Sequence, residues 1–127
     1  MEFVFSEEMS LWNNHIGDAG VGKLAQALSS GRCPQLKNLD LGYNNIGDEG
    51  ARELAKALAS GRCPRLKYFY LGVNNIGAEG VKILTQVLPL TNIIYTLGYV
   101  EGLGFICEAN LIKRNSLRKE IQKLLQK

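Results

Sequence analysis

The chain has 127 residues, of which 46% are hydrophobic and 21% charged, with a formal net charge of +3. That length suits one domain with a modest core and excludes two. No apolar run reaches the roughly 18 to 20 residues of a membrane span, since Leu88 to Val100 is broken by Pro89, Thr91, Asn92 and Gly98.

The N-terminal residues Phe3, Val4 and Phe5 run straight into Glu7 and Glu8, so no secretory signal is expected. An odd number of cysteines, three, then points to a reducing compartment rather than a disulfide scaffold. The first ordered element is a short strand with Met9 and Leu11 inward and Ser10 outward. Ser6 stands where later units have a leucine, and Phe3 and Phe5 are expected to shield the open edge.

Self-similarity organises the middle of the chain. Residues 31–60 read GRCPQLKNLDLGYNNIGDEGARELAKALAS and residues 61–90 read GRCPRLKYFYLGVNNIGAEGVKILTQVLPL, identical at more than half of their positions without a gap. Asn14, Asn44 and Asn74 keep the same 30-residue phase, as do Ile16, Ile46 and Ile76. The first half of each unit alternates, with Leu36, Leu39 and Leu41 matched by Leu66, Phe69 and Leu71, as a short strand does. The second half is helical: Ala51, Leu54, Ala55 and Leu58 recur at spacings of three and four, as do Val81, Leu84, Val87 and Leu88. Asp18 and Asp48 stand where an N-cap for their own helix would stand, and Ala78 is expected to deprive the third helix of one. Ser30-Gly31 and Ser60-Gly61 close the helices, and Pro34 and Pro64 forbid their continuation.

Beyond residue 88 the phase shifts. Tyr95-Thr96-Leu97-Gly98 matches Leu39-Asp40-Leu41-Gly42, so the unit is shortened, and Val100 stands at the asparagine position. Ser116 is read as the cap of a last helix whose Leu117, Ile121, Leu124 and Leu125 share one face. That end is basic, with Lys113, Arg114, Arg118, Lys119, Lys123 and Lys127 against Glu108 and Glu120.

A strand-plus-helix unit cannot bury its own apolar face, whereas a stack can. Leu39-x-Leu41-x-x-Asn44-x-Ile46, preceded by Leu36, resembles the leucine-rich-repeat signature. Gly47-Asp48-Glu49-Gly50 with Leu54 and Leu58 resembles the ribonuclease-inhibitor-like subtype, as in NOD-like receptors, GTPase-activating proteins for Ran and proteins of intracellular bacteria. The resemblance implies an α/β fold: a short right-handed solenoid of about four repeats, parallel strands concave and helices convex. It divides one domain into a cap and first repeat (1–30), repeats at 31–60 and 61–88, a shortened repeat at 89–115 and a capping helix at 116–127. It also implies that Asn14, Asn44 and Asn74 bond to backbone as a ladder ending at Asn74.

Recurrence removes several candidates for chemistry. The Gly-x-x-Gly and Asp-Glu pairs repeat with the scaffold, and no G-x-x-x-x-G-K-[ST] loop exists. His15 is the only histidine, so no catalytic triad, metal site or cofactor is expected. Cys33 and Cys63 share a repeat position, which leaves a disulfide geometrically open, though small buried hydrophobes are the simpler reading; Cys107 is read as core. The residues that fail to recur are more informative. The outward rows Ser10, Asp40, Tyr70, Thr96; Asn13, Tyr43, Val73, Tyr99; and Glu8, Asn38, Tyr68, Ile94 hold four of five tyrosines and border the sole tryptophan, Trp12. Aromatic side chains of this kind anchor interfaces.

A non-catalytic protein-interaction module is therefore expected. Its concave site comprises Trp12, Asp40, Tyr43, Tyr68, Tyr70, Thr96 and Tyr99. The partner is a protein of open identity, with no small-molecule substrate; nucleic acid and membrane are disfavoured, and self-association through open repeat ends is allowed. A bacterial effector or a fragment of a larger array fits the resemblance, in the bacterial cytosol or, if exported, the host cytosol. The alternatives are regulation of a GTPase or nuclease, and binding of an acidic surface by the basic C-terminal helix.

Overall fold

The computed structural model describes residues 7–94 and 103–126. Strand and helix alternate: β1 (Glu8–Ser10), α1 (Gly17–Ser29), β2 (Asn38–Asp40), α2 (Asp48–Ala59), β3 (Tyr68–Tyr70) and α3 (Ala78–Val87), then a 3-10 turn (Leu88–Leu90) and α4 (Leu103–Leu125). Among the described residues the strands form one parallel sheet in the order β1-β2-β3. Its register has no slip: Glu8, Asn38 and Tyr68 are aligned, then Met9, Leu39 and Phe69, then Ser10, Asp40 and Tyr70. The 30-residue phase of the sequence is thus the register of the sheet. Helices α1, α2 and α3 pack side by side behind it, each against the next.

The core lies between the sheet and the helices. Leu39 and Phe69 fill it from the strands, Leu36, Leu41, Leu66 and Leu71 from their flanks, and Val21, Leu28, Ala51, Leu54 and Leu84 from the helices. Each fully buried leucine contributes about 1.5 to 3 kcal/mol, so stacking rather than any single unit supplies the stability.

Two connections hold the coils in register. Asn44 is wholly buried; its Nδ2 donates to Leu11 O (2.8 Å) and Gly42 O (3.0 Å), and its Oδ1 accepts from Asn14 N (2.9 Å). Asn74 repeats this, donating to Leu41 O (2.9 Å) and accepting from Asn44 N and Ile46 N, each at 2.9 Å. The asparagine side chain thereby satisfies turn amides and carbonyls that no ladder of strand bonds reaches.

The second connection corrects the expected capping. Asp18 does not cap α1. Its Oδ1 accepts from Gly47 N (2.7 Å) and Gly50 N (3.1 Å), at the start of α2 in the next coil. Asp48 Oδ1 likewise accepts from Gly77 N (2.7 Å) and Gly80 N (3.1 Å), at the start of α3. Each carboxylate sits within the first turn of its own helix and faces the exposed amides of its neighbour, where the positive end of the helix dipole favours a negative charge. Helix α3 therefore keeps a cap despite Ala78, and the missing carboxylate concerns the next coil along. The arrangement needs glycine: a Cβ on Gly50 would lie 2.6 Å from Asp18 Oδ1 and 2.8 Å from Ile46 Cγ2.

At the C-terminal end the structure also departs from expectation. Leu103–Leu125 is one helix, so Ser116 is interior and caps nothing. From Phe105 to Leu125 the sequence holds no proline or glycine, and nothing breaks the helix. Asn110 anchors it, its Nδ2 donating to Leu88 O and Ile93 O, each at 2.9 Å. Farther along, Leu117, Ile121, Leu124 and Leu125 are exposed. The expected edge cover by Phe3 and Phe5 and the shortened strand at Tyr95-Gly98 lie outside the described residues, as do Thr96, Tyr99 and Val100.

Candidate interaction site

The sheet presents its outward rows on one open face. At the ends of β2 and β3 lies a shallow groove of about 430 Å³, lined by Trp12, Asp40, Gly42, Tyr43, Tyr70, Gly72 and Val73. Four of the residues expected on this face thus come together: Trp12, Asp40, Tyr43 and Tyr70. Tyr68 also reaches the surface, at the other end of its strand, but is not part of the groove. The groove's size falls within the range of pockets that hold a ligand or an anchoring side chain, about 300 to 1,000 Å³.

The groove is built by the turns after each strand. Tyr43 N donates to Gly72 O (3.1 Å) and Asn13 N to Gly42 O (2.9 Å), which fixes successive turns one above another. Asn13, Tyr43 and Val73 all have left-handed backbones, with φ of 56°, 56° and 54°. Asparagine tolerates that conformation; tyrosine and, above all, β-branched valine do not. The turned backbone leaves Tyr43 48% and Val73 62% exposed. Trp12, 53% exposed, meets Tyr43 edge to face, with ring centroids 5.4 Å apart and an interplanar angle of 70°. Gly42 makes room for it, since a Cβ there would stand 3.0 Å from Trp12 Cδ1. Asp40 is held beneath by Gly42 N, which donates to its Oδ1 at 3.0 Å.

Asp40 is the single charged side chain of the lining, and it forms no ion pair among the described residues. Val73 is a wall that the expected site lacked. It stands in the same row as Tyr43, but a valine gives no hint of a left-handed turn.

Other candidates fall elsewhere. His15 is exposed on its turn, with a left-handed φ of 50°. Cys33 is buried and Cys63 half-buried, and both are free thiols. Burial pushes the Cys33 thiol up, and burial together with the neighbouring Cys33 pushes Cys63 up to about 11. A thiol held protonated is a poor nucleophile, and Cys63 instead points its Sγ at Leu28 O, 3.7 Å away. Of Cys107 only the helical backbone is described. Among the described residues no group of three or more histidine, cysteine and acidic side chains is placed to hold a metal, and no helix is long and apolar enough to cross a membrane.

Comparison with known proteins agrees with the fold. A family model described as a leucine-rich repeat matches residues 10–25 and 32–55. No curated protein matches the sequence. Among solved structures, the chain is similar to one titled Leiomodin-1 Actin-Binding Site 2, with a TM-score of 0.72 at 15% identity, over 94% of this chain and 88% of that one. The repeat, the parallel sheet and these two matches show an α/β solenoid fold built from leucine-rich repeats.

Proposed function

We propose that the chain is a non-catalytic protein-interaction module whose partner docks on the concave strand face, at the groove around Trp12 and Tyr43. The observation that supports this most is what lies where the repeat is broken. Positions that recur build the turn, the sheet and the helix starts; the rows that do not recur converge on two half-exposed aromatic rings and a carboxylate. Trp and Tyr supply large contact area at low entropic cost, as interface anchors do. The similar solved structure is an actin-binding site by its title, and at 15% identity that likeness carries the fold and not the partner.

The test is capture from lysate on the immobilised chain. Trp12→Ala with Tyr43→Ala should lose the captured protein while the melting temperature stays within about 2 °C of the parent's, because both side chains are half exposed. Equal capture by the double variant would remove the reading.

A second reading has its own observation. Helix α4 carries exposed Leu117, Ile121, Leu124 and Leu125 beside Arg114, Arg118, Lys119 and Lys123, which suits an acidic surface. Capture through α4 would fall steeply with salt and survive the Trp12/Tyr43 change.

A further inference from the structure

We infer that the groove recognises a cationic side chain, the guanidinium of an arginine or the ammonium of a lysine, presented by an exposed segment of the partner protein. This rests on the docking reading and gives it a chemistry. Three observations carry it.

The lining has two faces of different character. Trp12, Tyr43 and Tyr70 supply aromatic rings, and Val73 adds an apolar wall. Opposite charge comes from Asp40 alone. An aromatic ring carries negative potential on its face, and a cation over Trp or Tyr is attracted by it. A carboxylate at the same groove adds direct charge attraction and accepts the cation's N–H donors. An acidic segment would meet repulsion there, and a purely apolar one would strip water from Asp40 without replacing it.

The rings are positioned for this. An edge-to-face pair at 5.4 Å covers the face of one ring with the edge of the other, and Trp12 and Tyr43 each keep about half of their surface open. The carboxylate is positioned too. Gly42 N–H holds Asp40 Oδ1 at 3.0 Å, so the group is oriented before any partner arrives. No cation of the chain itself is paired with it among the described residues, so a partner's cation displaces none of them.

The backbone at the groove is strained in a way its scaffold role does not require. The left-handed turn recurs, and the first unit fills it with Asn13, which adopts it at little cost. Tyr43 and Val73 adopt it at a cost of about 1 to 2 kcal/mol each. Side chains that flank the groove are thus kept at positions where asparagine or glycine would be easier.

Trp12 is the only tryptophan of the chain, so its emission reports on the groove alone. The experiment selects a displayed random peptide library on the full chain, and in parallel on Asp40→Asn and on Trp12→Ala/Tyr43→Ala. Asparagine at position 40 still accepts from Gly42 N–H, so this change removes the charge and keeps the turn. The expected result is enrichment of arginine or lysine in the selected peptides, a saturable change of Trp12 emission on titration with them, and at least tenfold weaker binding to Asp40→Asn. Replacing the selected arginine by citrulline should weaken binding to a similar extent. Selected peptides that are apolar or acidic but still need Trp12 and Tyr43 would overturn the cationic assignment and leave the docking reading standing. Peptides that bind the Trp12→Ala/Tyr43→Ala variant as well as the parent, or no selection at all, would overturn both.

Discussion

Two aspartates eight positions apart in one coil do different work. Asp48 belongs to the corner where one coil meets the next, and its Oδ1 accepts from Gly77 N and Gly80 N. Asp40 belongs to the open strand face, bonds locally to Gly42 N, and lines the groove with Trp12 and Tyr43. Asp48 has a counterpart one unit earlier in Asp18, with matching bonds to Gly47 N and Gly50 N. Asp40 has Ser10 and Tyr70 as its neighbours in register, and so no counterpart. In a stack of near-identical units, a side chain that serves the stack must recur, because every interface between coils poses the same problem. A side chain that serves something outside the stack has no such obligation.

The contrast can be broken or sharpened by substitution. The largest effect belongs to Asn44, which is buried and bonds to Leu11 O, Gly42 O and Asn14 N. Asn44→Ala removes the side chain that bonds Leu11 O, Gly42 O and Asn14 N at once and opens a gap in a fully buried corner, and should cost about 3 to 4 kcal/mol in urea unfolding. A loss below about 1 kcal/mol would mean that the turn is held some other way. Gly50→Ala comes next, since its methyl would press on Asp18 Oδ1 and Ile46 Cγ2. It should cost about 1 to 3 kcal/mol, and pairing it with Asp18→Ala should recover part of that.

Groove positions should behave in the opposite sense. Val73→Asn replaces a β-branched residue at φ 54° by the residue type that the first unit uses at this position. It should raise stability by about 1 kcal/mol and weaken binding at the groove, an exchange of stability against function read by melting and by peptide titration. A destabilised Val73→Asn would show that the valine serves the fold. The smallest effect is one of pH. The folded Cys63 thiol, at about 11, sits above its ordinary 9.0, so the folded state holds its proton longer than the unfolded chain does. Its contribution to stability is complete below about pH 9 and is lost as pH rises toward 11. Cys63→Ala should therefore flatten part of the fall in stability across that window, measured against the parent by urea unfolding. An unchanged slope would contradict it.

Much of this is legible in the sequence, and the reason is repetition. Identical spacing of Leu39, Leu41, Asn44, Leu54 and Leu58 with their partners 30 residues on states both the period and the buried face, and from these comes the strand register. Convergence of Trp12, Asp40, Tyr43 and Tyr70 on one face comes from the same phase. The direction of the aspartate caps does not. An aspartate in a first turn is ordinarily read as serving its own helix, and only the height of one coil against the next brings Asp48 to Gly77 and Gly80. The unbroken α4 is missed for a related reason, because Ser116 carries the signature of a cap and nothing local says that it lies in mid-helix. Val73 is missed because its left-handed backbone follows the turn stacked against it at Tyr43, against its own preference.

The most direct test sets the two aspartates side by side. Urea unfolding of Asp48→Ala and Asp40→Ala at neutral pH should show a loss of about 1 to 2 kcal/mol for the first, which strips two amides at the start of α3 of their acceptor, and under about 0.5 kcal/mol for the second. Equal losses, or a larger loss at Asp40, would contradict the division between side chains that hold the stack and side chains that face a partner.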